Sequence, residues 1–103
     1  MVEDSVTDEI GSEMRLLERT IKILSIIKKK QPIGIKKLSE ELGIEEHKVR
    51  YSLRLLEREQ IIEPTAVGAK LTEKHEKFEK VLLDDLNEMK ATLEELIDTV
   101  SGR

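Results

Sequence analysis

The run PIGIKKLSEELGIEEHKVRYSLRLLEREQIIEP spans Pro32 to Pro64 and divides into two helices, a glycine turn and a short strand. Leu38 and Leu42 give the first helix one apolar side, and Ser39 is small enough to suit close contact between helices. Gly43 stops that helix, because glycine enters the left-handed conformation without the steric cost of a Cβ. Ile44 follows as an apolar plug for the turn. The second helix is predicted from about Glu45 to about Glu59, with Val49, Leu53 and Leu56 at helical spacing on its inner side.

The opposite side of that helix carries the chemistry. His47, Arg50, Tyr51, Arg54 and Arg58 follow one another by three, one, three and four residues, which gathers them away from Val49, Leu53 and Leu56. Three guanidiniums, an imidazole and the only tyrosine therefore project together. A guanidinium is well shaped to grip phosphate oxygens or the acceptor edge of guanine.

Leu38-Ser39, Gly43, Val49 and the ending LxxLExExIIEP from Leu53 to Pro64 resemble a winged helix-turn-helix domain, over roughly Leu16 to Thr72. The resemblance implies a mainly α fold, α+β in that it carries a small wing, with helix 45–59 as the recognition helix in the major groove of double-stranded DNA. Arg50 and Arg54, with Tyr51 and His47 beside them, are then the residues expected at or near base edges. Arg58, Lys36, Lys37 and Lys48 are expected on phosphates.

At this length the chain is one domain with extensions, and its core is small and aliphatic. Such a domain is marginally stable alone, so oligomerisation is a natural supplement. The absence of cysteine excludes disulfides and thiolate metal sites. No run is apolar and long enough to cross a bilayer, and no signal peptide is legible, so a cytoplasmic protein is expected. The abundance of charged residues leans toward a thermophilic source. The net charge of −4 argues against a general DNA-coating protein, but its distribution matters more. Residues 1–13 carry five acids and no base, residues 14–60 twelve Lys or Arg against seven Glu, and residues 61–103 six bases against ten acids. The positive excess falls on the helix-turn-helix segment, as nucleic-acid binding requires.

Residues 1–11 are acidic and lack clear periodicity, and are expected to form a flexible arm. Ser12 is expected to cap a first helix that runs to about Lys30. Met14, Leu17, Ile21 and Leu24 form one stripe on it, and Leu16, Ile23 and Ile27 a second beside the first. Lys28, Lys29 and Lys30 complement the helix dipole in the last turn. Pro32 breaks the helix, and Ile33-Gly34-Ile35 reads as a very short strand. Ile61-Ile62-Glu63 and Lys70-Leu71-Thr72 read as the strands of a wing, with residues 64–69 as its turn and Lys70 as its only base. Residues 12–72 thus form the winged domain.

Residues 73–103 are read as a dimerisation helix with Thr72 at its N-cap. Phe78, Leu82, Leu86, Met89, Leu93, Leu96 and Val100 step by fours and threes, close to a heptad repeat from Leu82 onward; the stripe either packs along the first helix of its own chain or pairs with its copy, and the homodimer interface is the favoured expectation. A winged helix followed by a long C-terminal helix is similar to small archaeal winged-helix DNA-binding proteins, which implies a coiled-coil dimer. Those proteins are usually basic, whereas this chain is acidic, which favours a site-specific transcriptional regulator over a packaging protein.

No enzyme is expected. His47 and His75 lie on different helices, so no metal site is predicted. The carboxylates alternate with lysines as solvated faces do, and there is neither a phosphate loop nor a nucleophile motif. No catalytic residue, cofactor or small-molecule substrate is indicated. The alternative to DNA binding is a winged-helix protein-interaction module that pairs through its C-terminal helix.

Overall fold

In the computed structural model, which describes residues 6–102, the elements run α1 (Val6–Lys30), α2 (Ile35–Leu42), α3 (Glu46–Arg58), β1 (Ile62–Thr65), β2 (Gly68–Leu71) and α4 (His75–Ser101). The fold is mainly helical with one two-stranded antiparallel sheet. It divides into two units, Met1–Thr72 and Glu73–Arg103.

In the first unit, α1 starts at Val6, so Ser12 lies inside the helix and is not its cap. Val6, Ile10 and Met14 continue the apolar spacing backwards, and Asp8 and Glu9 suit the positive start of a helix. The arm expected over residues 1–11 is therefore helical from Val6, while Glu3 and Asp4 lie outside the described residues. Only the last turns of α1 enter the core, through Ile23, Leu24 and Ile27, whereas Val6, Ile10 and Met14 stay exposed. Ile33, Leu38, Val49, Leu53, Leu56, Ile61, Ile62, Ala69 and Leu71 complete that core.

The wing is tighter than its sequence suggests. Its strands pair from Ile62↔Leu71 to Thr65↔Gly68, which leaves a turn of two residues, Ala66 and Val67, in place of the expected turn 64–69. The Thr65 hydroxyl closes that turn by donating to the Gly68 carbonyl (2.6 Å) and accepting from the Val67 N–H (3.2 Å). Pro64 sits inside β1 opposite Ala69. It costs the ladder no bond, because Ala69 directs both its N–H (2.7 Å) and its carbonyl (3.1 Å) to Ile33 on the other side. Of the expected strand Ile33-Gly34-Ile35, only Ile33 bridges to the sheet, and Ile35 already belongs to α2.

Gly68 makes that bridge possible. Its φ is +133°, and a Cβ there would fall 2.4 Å from the Ile33 carbonyl carbon. The base of the wing is tied down further. The Leu71 N–H donates to the Gln31 side-chain carbonyl (2.8 Å), and the Thr72 hydroxyl donates to the Gln60 carbonyl (2.6 Å). Thr72 is thus a latch on the end of α3, not the N-cap of the last helix; Lys74 holds that cap position.

In the second unit, α4 is a single helix that ends at Gly102, whose φ is +81° and whose N–H returns to the Asp98 carbonyl. It has no buried residue. Phe78, Leu82 and Leu86 are half-buried, and Met89, Leu93, Leu96 and Val100 are exposed, together with Val81, Leu83 and Ile97. None of the described helices is long and apolar enough to cross a membrane.

Candidate nucleic-acid interface

The turn between α2 and α3 sets the direction of α3. Gly43 adopts φ +64°, ψ +34°, the left-handed conformation expected of it. The N–H groups of Gly43 (2.9 Å) and Ile44 (3.2 Å) both donate to the Ser39 carbonyl, which satisfies the end of α2. The Ser39 hydroxyl donates in turn to the Ile44 carbonyl. Ser39 thus acts as a turn clamp, a role that its small size alone did not suggest. Lys30 reaches from the end of α1 to Glu41 of α2 at 2.5 Å. Its hydrogen bond and charge, with Lys37 adding less, hold the Glu41 carboxyl below its ordinary pKa.

Val49, Leu53 and Leu56 are buried, and they seat α3 on α1, α2 and β1. Ser52 shares their side and is fully buried. Its hydroxyl oxygen accepts from Thr20 Oγ1 (2.9 Å) and Arg19 Nε (3.2 Å), so α1 and α3 are pinned by a satisfied polar node inside an apolar contact. The sequence pattern missed this residue. The signal available was its position, one helical turn from Val49 and Leu56 on the inner side. The end of α3 is also unexpected. Gln60, not a glycine, takes φ +61°, and the Ile61 N–H then reaches the Leu56 carbonyl (2.9 Å).

With the inner side fixed, the outer side follows from helix geometry. At about 100° per residue, His47, Arg54, Arg58 and Tyr51 fall within roughly 60° of one another, opposite the buried residues. Arg50 lies about 40° outside one edge of that sector and Lys48 about 60° outside the other. All six are exposed, Tyr51 by half. Among the described residues, Arg50, Arg54 and Arg58 have no carboxylate at ion-pair distance. Glu45 stands 3.5 Å from His47 and 3.7 Å from Lys48, so the positive potential is weakest at the start of α3 and strongest from Arg50 onward. Lys36 and Lys37 are exposed in the first turn of α2, on a different element.

The wing adds little charge. The register puts Glu63 across from Lys70, its only base, and the tip is Ala66 and the exposed Val67. Among the described residues, no group of three or more His, Asp or Glu is placed to hold a metal ion.

No curated protein matches the chain. A family model does match, over residues 16–89, from within α1 through the helix-turn-helix and wing into α4. That span covers well over half of the chain and contains every residue that shapes α3 and its exposed basic side. The chain belongs to the family described as the CggR N-terminal DNA-binding domain.

Proposed function

We propose that the chain binds double-stranded DNA sequence-specifically as a dimeric transcriptional regulator, with α3 in the major groove. One observation carries this reading. α3 is held to the core by Val49, Ser52, Leu53 and Leu56, while the three arginines on its other side have no described carboxylate partner. Arg50 and Arg54, flanked by Tyr51 and His47, read base edges. Arg58, Lys36, Lys37 and Lys48 grip phosphates. The stripe Phe78, Leu82, Leu86, Met89, Leu93, Leu96 and Val100 pairs α4 with a second copy, since an apolar face of this length with no buried residue is unstable in water. A two-fold dimer then binds half-sites about 34 Å apart or a multiple of it.

Selection from a random duplex pool tests binding, specificity and half-site symmetry together. On the selected site, Arg54→Ala is expected to cost about 1–3 kcal/mol, and much less on a scrambled duplex. Equal loss on both would make Arg54 a backbone contact only. Replacing Leu93 by Lys is expected to yield monomers in sedimentation. The acidic α4 and the charge-neutral wing favour a second reading, a protein-interaction module. Absence of binding to any duplex at about 50 mM salt would select it.

A further inference from the structure

Beside α3, an open crevice of about 240 Å³ lies between α1 and the Gly43–Ile44 turn. Arg15, Glu18 and Arg19 line it from α1, and Glu45 and Lys48 from the start of α3. Its two carboxylates are engaged: Glu18 meets Lys22 at 3.4 Å, and Glu45 meets Lys48 at 3.7 Å. Among the described residues, neither Arg15 nor Arg19 has a carboxylate at ion-pair distance.

Arg19 is also held in place. Its Nε donates to the fully buried Ser52 hydroxyl at 3.2 Å, which fixes the plane of the guanidinium and leaves its two terminal nitrogens as donors. Arg15 stands one helical turn earlier on the same side of α1. Its Nη1 lies back along α1, 3.5 Å from where a Gly11 Cβ would stand, so a rotamer change brings it toward Arg19, and an anion held between the two gains charge-assisted hydrogen bonds that offset their repulsion. The volume is below the roughly 300–1,000 Å³ of sites that enclose a whole small molecule, and it suits a single tetrahedral oxyanion. Lys48 lies about 90° round α3 from the middle of the Arg54–Arg58 side, so the crevice flanks that side and does not share it.

We infer that this crevice binds a phosphate group, with Arg15 and Arg19 as its two ligands. When α3 occupies a major groove, that phosphate is one of the duplex backbone; this source rests on the reading of α3 given above. The other source of the same chemistry is a free phosphate or phosphate ester.

Two titrations of the full chain test the inference. In the first, inorganic phosphate replaces chloride at constant ionic strength, and the arginine Nε–H and the Gly43 and Ile44 amide signals are followed by NMR. In the second, duplex affinity is measured against salt for the native chain, Arg15→Gln, Arg19→Lys and the control Lys90→Gln, an exposed lysine of α4 outside the crevice lining. Arg15 makes no described bond to the core, so its variant keeps the fold. With a duplex phosphate in the crevice, Arg15→Gln lowers the slope of log affinity against log salt by about 0.9, on selected and scrambled sequences alike. Between about 50 and 200 mM salt, that variant then loses roughly threefold less affinity than the native chain. Lys90→Gln leaves the slope unchanged. Arg19→Lys keeps the charge but breaks the Ser52 alignment, so it weakens binding with little change in slope. Saturable phosphate shifts at Arg15 and Arg19 with no slope change assign the crevice to a small phosphate. Flat phosphate titrations together with an unchanged slope overturn the inference. If the chain binds no duplex, the reading of α3 fails and the phosphate titration alone decides on the crevice.

Discussion

Replacing Gly68 by Ala tests how the wing is joined to the helices. The new Cβ would fall 2.4 Å from the Ile33 carbonyl carbon and 2.7 Å from its oxygen, both rigid backbone atoms. Relief requires β2 to move off Ile33, which weakens the two Ile33–Ala69 hydrogen bonds. A side chain at φ +133° is strained besides. Strain of about 1–3 kcal/mol, overpacking of similar size and about 0.5–1.5 kcal/mol per weakened bond partly trade off, which leaves a net loss of about 3–5 kcal/mol. For a small domain that is a large part of its stability. Urea unfolding followed by circular dichroism is expected to show the midpoint falling by at least about 1 M. Amide exchange at Ala69 and Ile33 is expected to lose protection. Gly34→Ala is the control: nothing lies within 4 Å of the Cβ it would add, and its φ is −94°. Its effect stays within about 1 kcal/mol. A loss below about 1 kcal/mol for Gly68→Ala, with Ala69 protection intact, would refute the close approach of β2 to Ile33.

Three further outcomes are expected. Gln60→Gly, at φ +61°, relieves a left-handed non-glycine residue and raises stability by about 1 kcal/mol, read as a rise in melting temperature of roughly 4–8 °C. Ser52→Ala removes the acceptor shared by Thr20 and Arg19 and costs about 1–3 kcal/mol in urea unfolding, although it deletes only one oxygen from the core. Glu41 is held by Lys30 below its ordinary pKa, so its pairing is fully present above the unfolded carboxylate pKa and is lost as pH falls through the lower folded value. Melting curves below about pH 4.5 are therefore expected to differ less between native and Glu41→Gln chains than those at pH 7, and high salt should narrow the difference at pH 7.

The helix-turn-helix was legible because its determinants are local. Gly43 declares a left-handed stop, and Val49, Leu53 and Leu56 declare an inner side by spacing alone; the exposed basic side then follows by geometry. What escaped depends on partners distant in the chain. Ser52 looks like a surface residue until Thr20 and Arg19, more than thirty positions earlier, supply its donors. Thr72 has the composition of a helix cap, but the carbonyls at the end of α3 claim its hydroxyl. Pro64 suggested a turn, and only the bridge from Ala69 to Ile33 explains why a strand tolerates it. The start of α1 was missed because acidic composition outweighed the spacing of Val6, Ile10 and Met14. Arg15 and Arg19 drew no notice because nothing in their own helix marks the crevice they line.

The hairpin is secured at its root, through Gln31, Ile33 and Thr72, while Thr65 and its strand partner Gly68 shape its far end. Ala66 and Val67 therefore form an interchangeable fitting. Grafting a longer lysine-bearing loop between Thr65 and Gly68 leaves the root anchors in place, so the length and charge of this arm can be altered without rebuilding the scaffold beneath it.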